Sequence, residues 1–229
     1  NLNEHVLGGR WPTADERRAQ LAEAVEVMRK LWTGEEISHR GDHYTVELAR
    51  LYTVPDQPIP VPVSAFGPKA ADLAAEIGDG FVSTHPDAEL VQQYRAAGGT
   101  GPISGGLKIC WGADTEECRR LVHRLWRSGG VPGELTQELR TPALFAQASS
   151  IVDVDTATKG VPCGPDVDQI VQAVQEYADA GFDRLYINQI GPQQAEFFSM
   201  FARELEPVLA GIGAAPDSDA SLVGSGRSR

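Results

Sequence analysis

The run Val61-Pro62-Val63-Ser64-Ala65-Phe66 has the apolar character of a buried strand, stops at Gly67-Pro68 and passes into Lys69-Ala70 and an alanine-rich segment. Glycine at such a junction lets backbone approach a ligand closely. The first amides of the following helix are unpaired and lie at the positive end of its dipole. That chemistry binds an anion, a phosphate above all, and Lys69 adds charge to it. The same residues also read as a tight strand-to-helix turn that binds nothing. Other polar or aromatic residues close similar apolar runs: Ser83, Thr84 and His85, then Trp111, then Asn188 and Gln189. His85 suits either a ligand-facing role or a helix-start role bonded to a carbonyl. His5, His39, His43 and His123 are scattered without ligand spacing. Cys110, Cys118 and Cys163 have neither CxxC nor metal spacing and no nearby histidine in the sequence. No G-x-S-x-G, Walker A, G-x-G-x-x-G or H-E-x-x-H pattern occurs. Taken alone, these residues define an α/β domain with a candidate anion site.

The elements that must position them follow from periodicity. Leu21, Ala24, Val25, Met28, Leu31 and Trp32 recur at helical spacing, so a helix is expected from about Thr13 to Trp32, started by Pro12-Thr13 and stopped by Gly34. Ile37-Ser38-His39 and His43-Tyr44-Thr45-Val46 flank Arg40-Gly41-Asp42 as a hairpin. Short apolar strands then alternate with helices. Strands are expected at 61–66, 80–84, 107–111 and 184–189, and helices at about 68–77, 87–97, 115–126, 165–180 and up to Leu209. Such alternation means parallel βα units, and ligands lie at the carboxyl ends of their strands. Residues 128–160 interrupt the rhythm with Gly129-Gly130, Pro132-Gly133 and Pro142, and read as a loosely ordered or lid-like insertion. The globular domain is expected over 1–213 and a disordered tail over 214–229.

Composition narrows the partners. In 229 residues, 32 acids against 20 bases give a formal charge of −12. That balance excludes a nucleic-acid or anionic-membrane surface, which needs clustered Lys and Arg. No apolar run reaches membrane-span length, and three cysteines fit a reducing, cytoplasmic setting.

Several runs carry a resemblance. Asn1-Leu2-Asn3-Glu4-His5, Trp11-Pro12, Glu23-Ala24-Val25, Leu31-Trp32-Thr33-Gly34 and Gly41-Asp42-His43-Tyr44 resemble the bacterial luciferase-like monooxygenase superfamily. Pro62–Ala70, Ile77-Gly78-Asp79-Gly80-Phe81 and Ala180-Gly181-Phe182-Asp183 are similar to its coenzyme F420-dependent branch named after glucose-6-phosphate dehydrogenase. The resemblance implies a TIM-barrel oxidoreductase passing hydride between a small organic substrate and the deazaflavin F420. FMN is the alternative cofactor, and a homodimer the expected assembly. It implies that Asn3 contacts cofactor, that Phe66, Gly67, Lys69 and Ala70 cradle the cofactor phosphate, and that Thr84 contacts substrate. Departures matter equally. Pro86-Asp87 stands where the glucose 6-phosphate enzyme has a phosphate-gripping lysine, and Lys159 lies near a second basic contact. The family's acid/base residues would precede Asn1, and only about four of eight strands are expected here. The chain then reads as a C-terminal part of a barrel lacking about 100 residues; a non-catalytic half-barrel is the other reading.

Overall fold

A computed structural model describes residues 1–212. The tail expected over 214–229 lies outside the described residues. Helix α1 (Ala14–Leu31) opens with a capping box: Thr13 Oγ1 accepts from the Glu16 amide, and the Glu16 carboxylate accepts from the Thr13 amide. Glu16 is held down to about 2 by Arg10 and by Thr13. The hairpin strands β1 (Ile37–Arg40) and β2 (Thr45–Ala49) pair antiparallel. They are fastened to α1 through one carboxylate. Glu23 accepts from His39 Nε2 at 3.0 Å and from the amides of His43 and Tyr44 at 3.0 and 2.8 Å. Burial raises its pKa, but the bonds from His39, Tyr44 and His43 outweigh that and leave it below its ordinary value. A β-carbon at Gly41 would lie 2.0 Å from Glu23 Oε1, so a larger residue there would require the carboxylate to shift off its donors.

The main sheet is parallel, in the order β3 (Pro62–Ser64), β4 (Gly80–Ser83), β5 (Ile103–Ile109), β6 (Arg184–Gln189). Helices α2 (Pro68–Ile77) and α3 (Ala88–Ala96) connect the first three strands, while α4 (Thr115–Trp126) follows β5. Pro68 opens α2 at its first turn, and the Asp87 and Asp114 side chains cap α3 and α4. Side chains alternate across the sheet. Val63, Phe81 and Ile103 pack on α2 and α3 with Ala71, Ala74, Leu90 and Tyr94. Leu107 and Ile109 pack on α8 (Val167–Asp179) and on the final helix, with Ile170, Tyr177, Phe197 and Leu205. Tyr186 and Asn188, in register with Gly106 and Lys108, point the other way, and both are exposed. Among the described residues the sheet has four strands and does not close into a barrel.

Two expectations need correction. Strand β5 begins at Ile103 rather than Leu107, because Gly105 and Gly106 lie inside the ladder, paired with Leu185 and Tyr186. The last helix is continuous only to Met200: α9 (Gln194–Met200) passes through a π turn, Phe201–Leu205, into α10 (Glu206–Leu209). The irregular turn falls just ahead of Pro207, which cannot donate to the helical pattern. Within 128–160 the chain forms α5 (Leu135–Glu138), α6 (Pro142–Ser149) and α7 (Val154–Thr158) around Val131, Val152 and Ala157. His123 Nε2 donates to the Val152 carbonyl at 2.8 Å, and Arg119 pairs with Asp155, tying this segment to α4.

Candidate active site

The carboxyl ends of β3 and β4 bring two of the expected site segments together. At the first, Ala65 is buried while Phe66 is 62% exposed, its ring standing over the strand end. Gly67 caps α2 in an extended conformation, and a β-carbon there would meet nothing within 4 Å. The space above this turn is open. Ala70 and Ala71 both direct their amides at the Gly67 carbonyl, at 3.1 and 3.0 Å. Since Pro68 has no N–H, the amides of Gly67 and Lys69 are the ones outside the helix's own pattern. The Lys69 ammonium lies 3.5 Å from Asp15 at the start of α1, both side chains being well exposed. Arg18, and then Lys69, hold the Asp15 carboxyl below its ordinary value. An exposed pair of this kind contributes little, so an arriving anion can compete for Lys69.

At the second segment, Thr84 leaves β4 beside His85. Thr84 Oγ1 is 3.4 Å from His85 Nδ1, and the His85 ring meets Phe66 edge-on with centroids 6.4 Å apart. His85 thus joins the two segments. Below them lies a cavity of about 360 Å³ whose walls include Thr84, His85, Lys108, Trp126 and Lys159. The Lys108 ammonium sits 5.2 Å from the centre of the Trp126 ring, which suits a cation–π contact. Asp87 stays out of this wall: its carboxylate accepts from the Leu90 amide at 3.0 Å as the cap of α3.

Asn3 lies in the N-terminal stretch. It heads a short 3₁₀ turn, Glu4–Leu7, and the stretch docks on α5 through Asn1 and through Trp11, whose indole donates to Glu138 at 3.0 Å. Gln189, expected at a ligand-facing strand end, instead clamps backbone. Its Oε1 accepts from the Trp111 amide and its Nε2 donates to the Trp111 carbonyl, each at 2.9 Å. The side chain imitates one more rung of the sheet and fixes Trp111. All three cysteines are buried in one cluster with Val122. Burial pushes the Cys110 and Cys163 thiols up to about 12 and about 11, which makes them inert. A wider trough of about 900 Å³ is walled by α1, the hairpin and the end of α2, with Glu23, Glu26, Arg29 and Lys30 of α1 among its lining. Among the described residues no group of three His, Cys, Asp or Glu side chains could hold a metal ion. No helix among them is long and apolar enough to cross a membrane.

Comparison with known proteins agrees with the α/β fold. The family described as luciferase-like monooxygenase matches residues 2–184, and the chain belongs to it. It is 31% identical over 227 residues to an F420-dependent glucose-6-phosphate dehydrogenase of Tsukamurella paurometabola, covering 93% of this chain and 67% of the relative. A protein of the same name from Segniliparus rotundus is 32% identical over 224 residues, with 92% and 67% covered. Among solved structures, an F420-dependent secondary alcohol dehydrogenase in complex with an F420-acetone adduct superposes with a TM-score of 0.77 at 23% identity. That match spans 88% of this chain and 64% of the structure, and it shows the shared fold. The chain therefore spans about two thirds of the length of the relatives it matches.

Proposed function

We propose that the chain holds the cofactor-phosphate and substrate-facing part of an oxidoreductase that moves hydride between a small organic substrate and coenzyme F420. The observation that carries this reading is the Phe66-Gly67-Pro68-Lys69 turn. It combines a strand end, open space above Gly67, two amides outside the helical pattern and one lysine. That donor set fits a phosphate group, and the curated relatives at about this identity carry F420 in their names. When bound, the deazaflavin supplies the hydride-accepting ring; the protein binds, orients and polarises. Gly67 and Lys69 hold the phosphate, with the Phe66 ring at the mouth, while Thr84 faces substrate in the adjoining cavity. On this reading the four strands of the open sheet correspond to one half of a luciferase-type barrel. Asp87 is taken up as the cap of α3 and does not line the cavity, whose charged wall residues are Lys108, Lys159 and Glu176. Three unpaired, buried cysteines suit a reducing compartment such as the cytoplasm.

The test is a fluorescence titration of the chain with F420, run beside one with FMN. The wild-type chain is expected to bind F420 in preference. Gly67→Val, which fills the open space, should weaken F420 by about tenfold or more, and Lys69→Ala by less. No F420 binding, or tighter binding of FMN, removes the proposal.

A further inference from the structure

A buried hydroxyl behind the candidate site has no part in the reading above. Tyr177 on α8 is 4% exposed, and its Oη lies 2.8 Å from the Thr84 carbonyl and 3.0 Å from the Gly106 carbonyl. One phenolic proton is shared between two backbone acceptors on neighbouring strands. The β4–β5 ladder ends at Ser83 paired with Gly105, so the contact falls on the first residue beyond the ladder. Thr84 is the first residue past that register. Burial pushes the Tyr177 hydroxyl up to about 12, so it remains a donor throughout the physiological range.

The glycine pair inside β5 makes the contact feasible from both sides of the sheet. A β-carbon at Gly105 would lie 2.6 Å from Tyr177 Cδ1 and 2.8 Å from Leu185 Cδ1, so glycine opens the slot in which the ring lies. A β-carbon at Gly106, on the opposite face, would come within 3.3 Å of Thr84 Cγ2. Two adjacent glycines in a strand interior weaken it, and here each gives room to one partner of the same interaction. Phe182 stacks edge-on against the Tyr177 ring with centroids 5.1 Å apart, which holds the ring from behind.

We propose that Tyr177 is a positioning residue that holds Thr84, and with it His85, at the cavity wall for contact with substrate. The inference rests on the oxidoreductase reading for the identity of that ligand. The mechanical part, a tyrosine on the outer helix setting the end of a neighbouring strand, stands on the geometry alone. Tyr177 also borders that cavity, but its hydroxyl is spent on the two carbonyls, so its effect on substrate passes through Thr84.

The test compares the wild-type chain with Tyr177→Phe and Gly106→Ala. Amide hydrogen exchange is followed in peptides covering 82–88 and, as a control, 116–126. Tyr177→Phe should raise exchange at 82–88 about tenfold and leave 116–126 within about twofold. With F420 saturating and 2-propanol as the substrate probe, the dissociation constant of 2-propanol should rise about tenfold, with F420 affinity little changed. Gly106→Ala keeps the Tyr177 hydroxyl and nudges Thr84 from the inner face, so it should raise the 2-propanol dissociation constant without the gain in exchange. It also keeps the inference testable where Tyr177→Phe folds poorly. Unchanged exchange at 82–88 overturns the proposal, as does a parallel loss of F420 affinity and substrate affinity, which marks a general structural role. A wild-type chain that binds no F420 removes the oxidoreductase reading instead, and the exchange data still decide whether Tyr177 holds the strand end.

Discussion

Two buried tyrosines in this fold should respond in opposite directions to loss of the same oxygen atom. Tyr94 is fully buried, and its hydroxyl has no hydrogen-bond partner among the described residues. Its ring is firmly seated. Phe81 stacks on it at 5.2 Å, Gly99 leaves room that a β-carbon would fill at 2.4 Å from the ring, and the Arg95 guanidinium lies 5.4 Å from its centre. Tyr94→Phe therefore removes an orphaned polar atom and leaves the packing in place. A buried polar group without a partner costs about 1–3 kcal/mol, so the variant should gain about 1 kcal/mol. For a chain of this size that is a rise of about 2–4 °C in Tm. Tyr177→Phe removes a donor that serves two half-buried carbonyls and should lose about 1 kcal/mol. Urea unfolding followed by circular dichroism reads both as shifts in midpoint at constant slope. A loss of stability in Tyr94→Phe, or equal shifts of one sign in both variants, refutes the assignment of one hydroxyl as orphaned and the other as satisfied.

Acid should loosen the hairpin first. The folded-state pKa of Glu23 is lowered, so the stability it contributes is present above the ordinary carboxylate value of 4.5 and is lost as pH falls through the lower folded value. Amide signals of His43 and Tyr44, followed by NMR from pH 6 downward, should lose protection below about pH 4.5. Glu23→Gln should show reduced protection already at pH 6. Gly101→Ala places a β-carbon 2.0 Å from the Asp79 carbonyl and should cost about 2–3 kcal/mol in chemical unfolding. That clash lies at the amino ends of β4 and β5, so ligand affinity of the folded fraction should hold. The three thiols should stay silent toward an aromatic disulfide reagent in the native chain and all react after unfolding. A fast native reaction contradicts the buried cluster.

Much of the scaffold was legible because its signals are local. Pro12-Thr13 with Glu16 announced α1, Asp114 announced α4, and the apolar run Arg184–Gln189 matched β6 to the residue. The turn at Phe66–Lys69 was legible for the same reason: a strand end, a glycine and a proline follow one another in sequence. What depended on distant residues was not. The strand expected from Leu107 left out Gly105-Gly106, because the ring that needs their space belongs to Tyr177, more than seventy positions later. Tyr177 itself reads as one more aromatic on an amphipathic helix; paired glycines inside an otherwise apolar run were the signal that could have found it. Gln189 carries the polar end of a strand whether it faces a ligand or a backbone, and only the Trp111 contacts decide. Helices α5 to α7 are four, eight and five residues long, too short to establish a periodic stripe.

The Glu23 clamp makes two distant positions a single unit of variation. A side chain at 41 larger than hydrogen would press the carboxylate to shift off its donors, and a shorter acid at 23 would withdraw from the three donors. Neither site can drift alone without releasing the hairpin. Lineages that abandon one should abandon both, and those that keep the glycine should keep the acid. A hairpin remote from the strand ends thereby becomes a marker of ancestry, readable from a pair of letters eighteen positions apart.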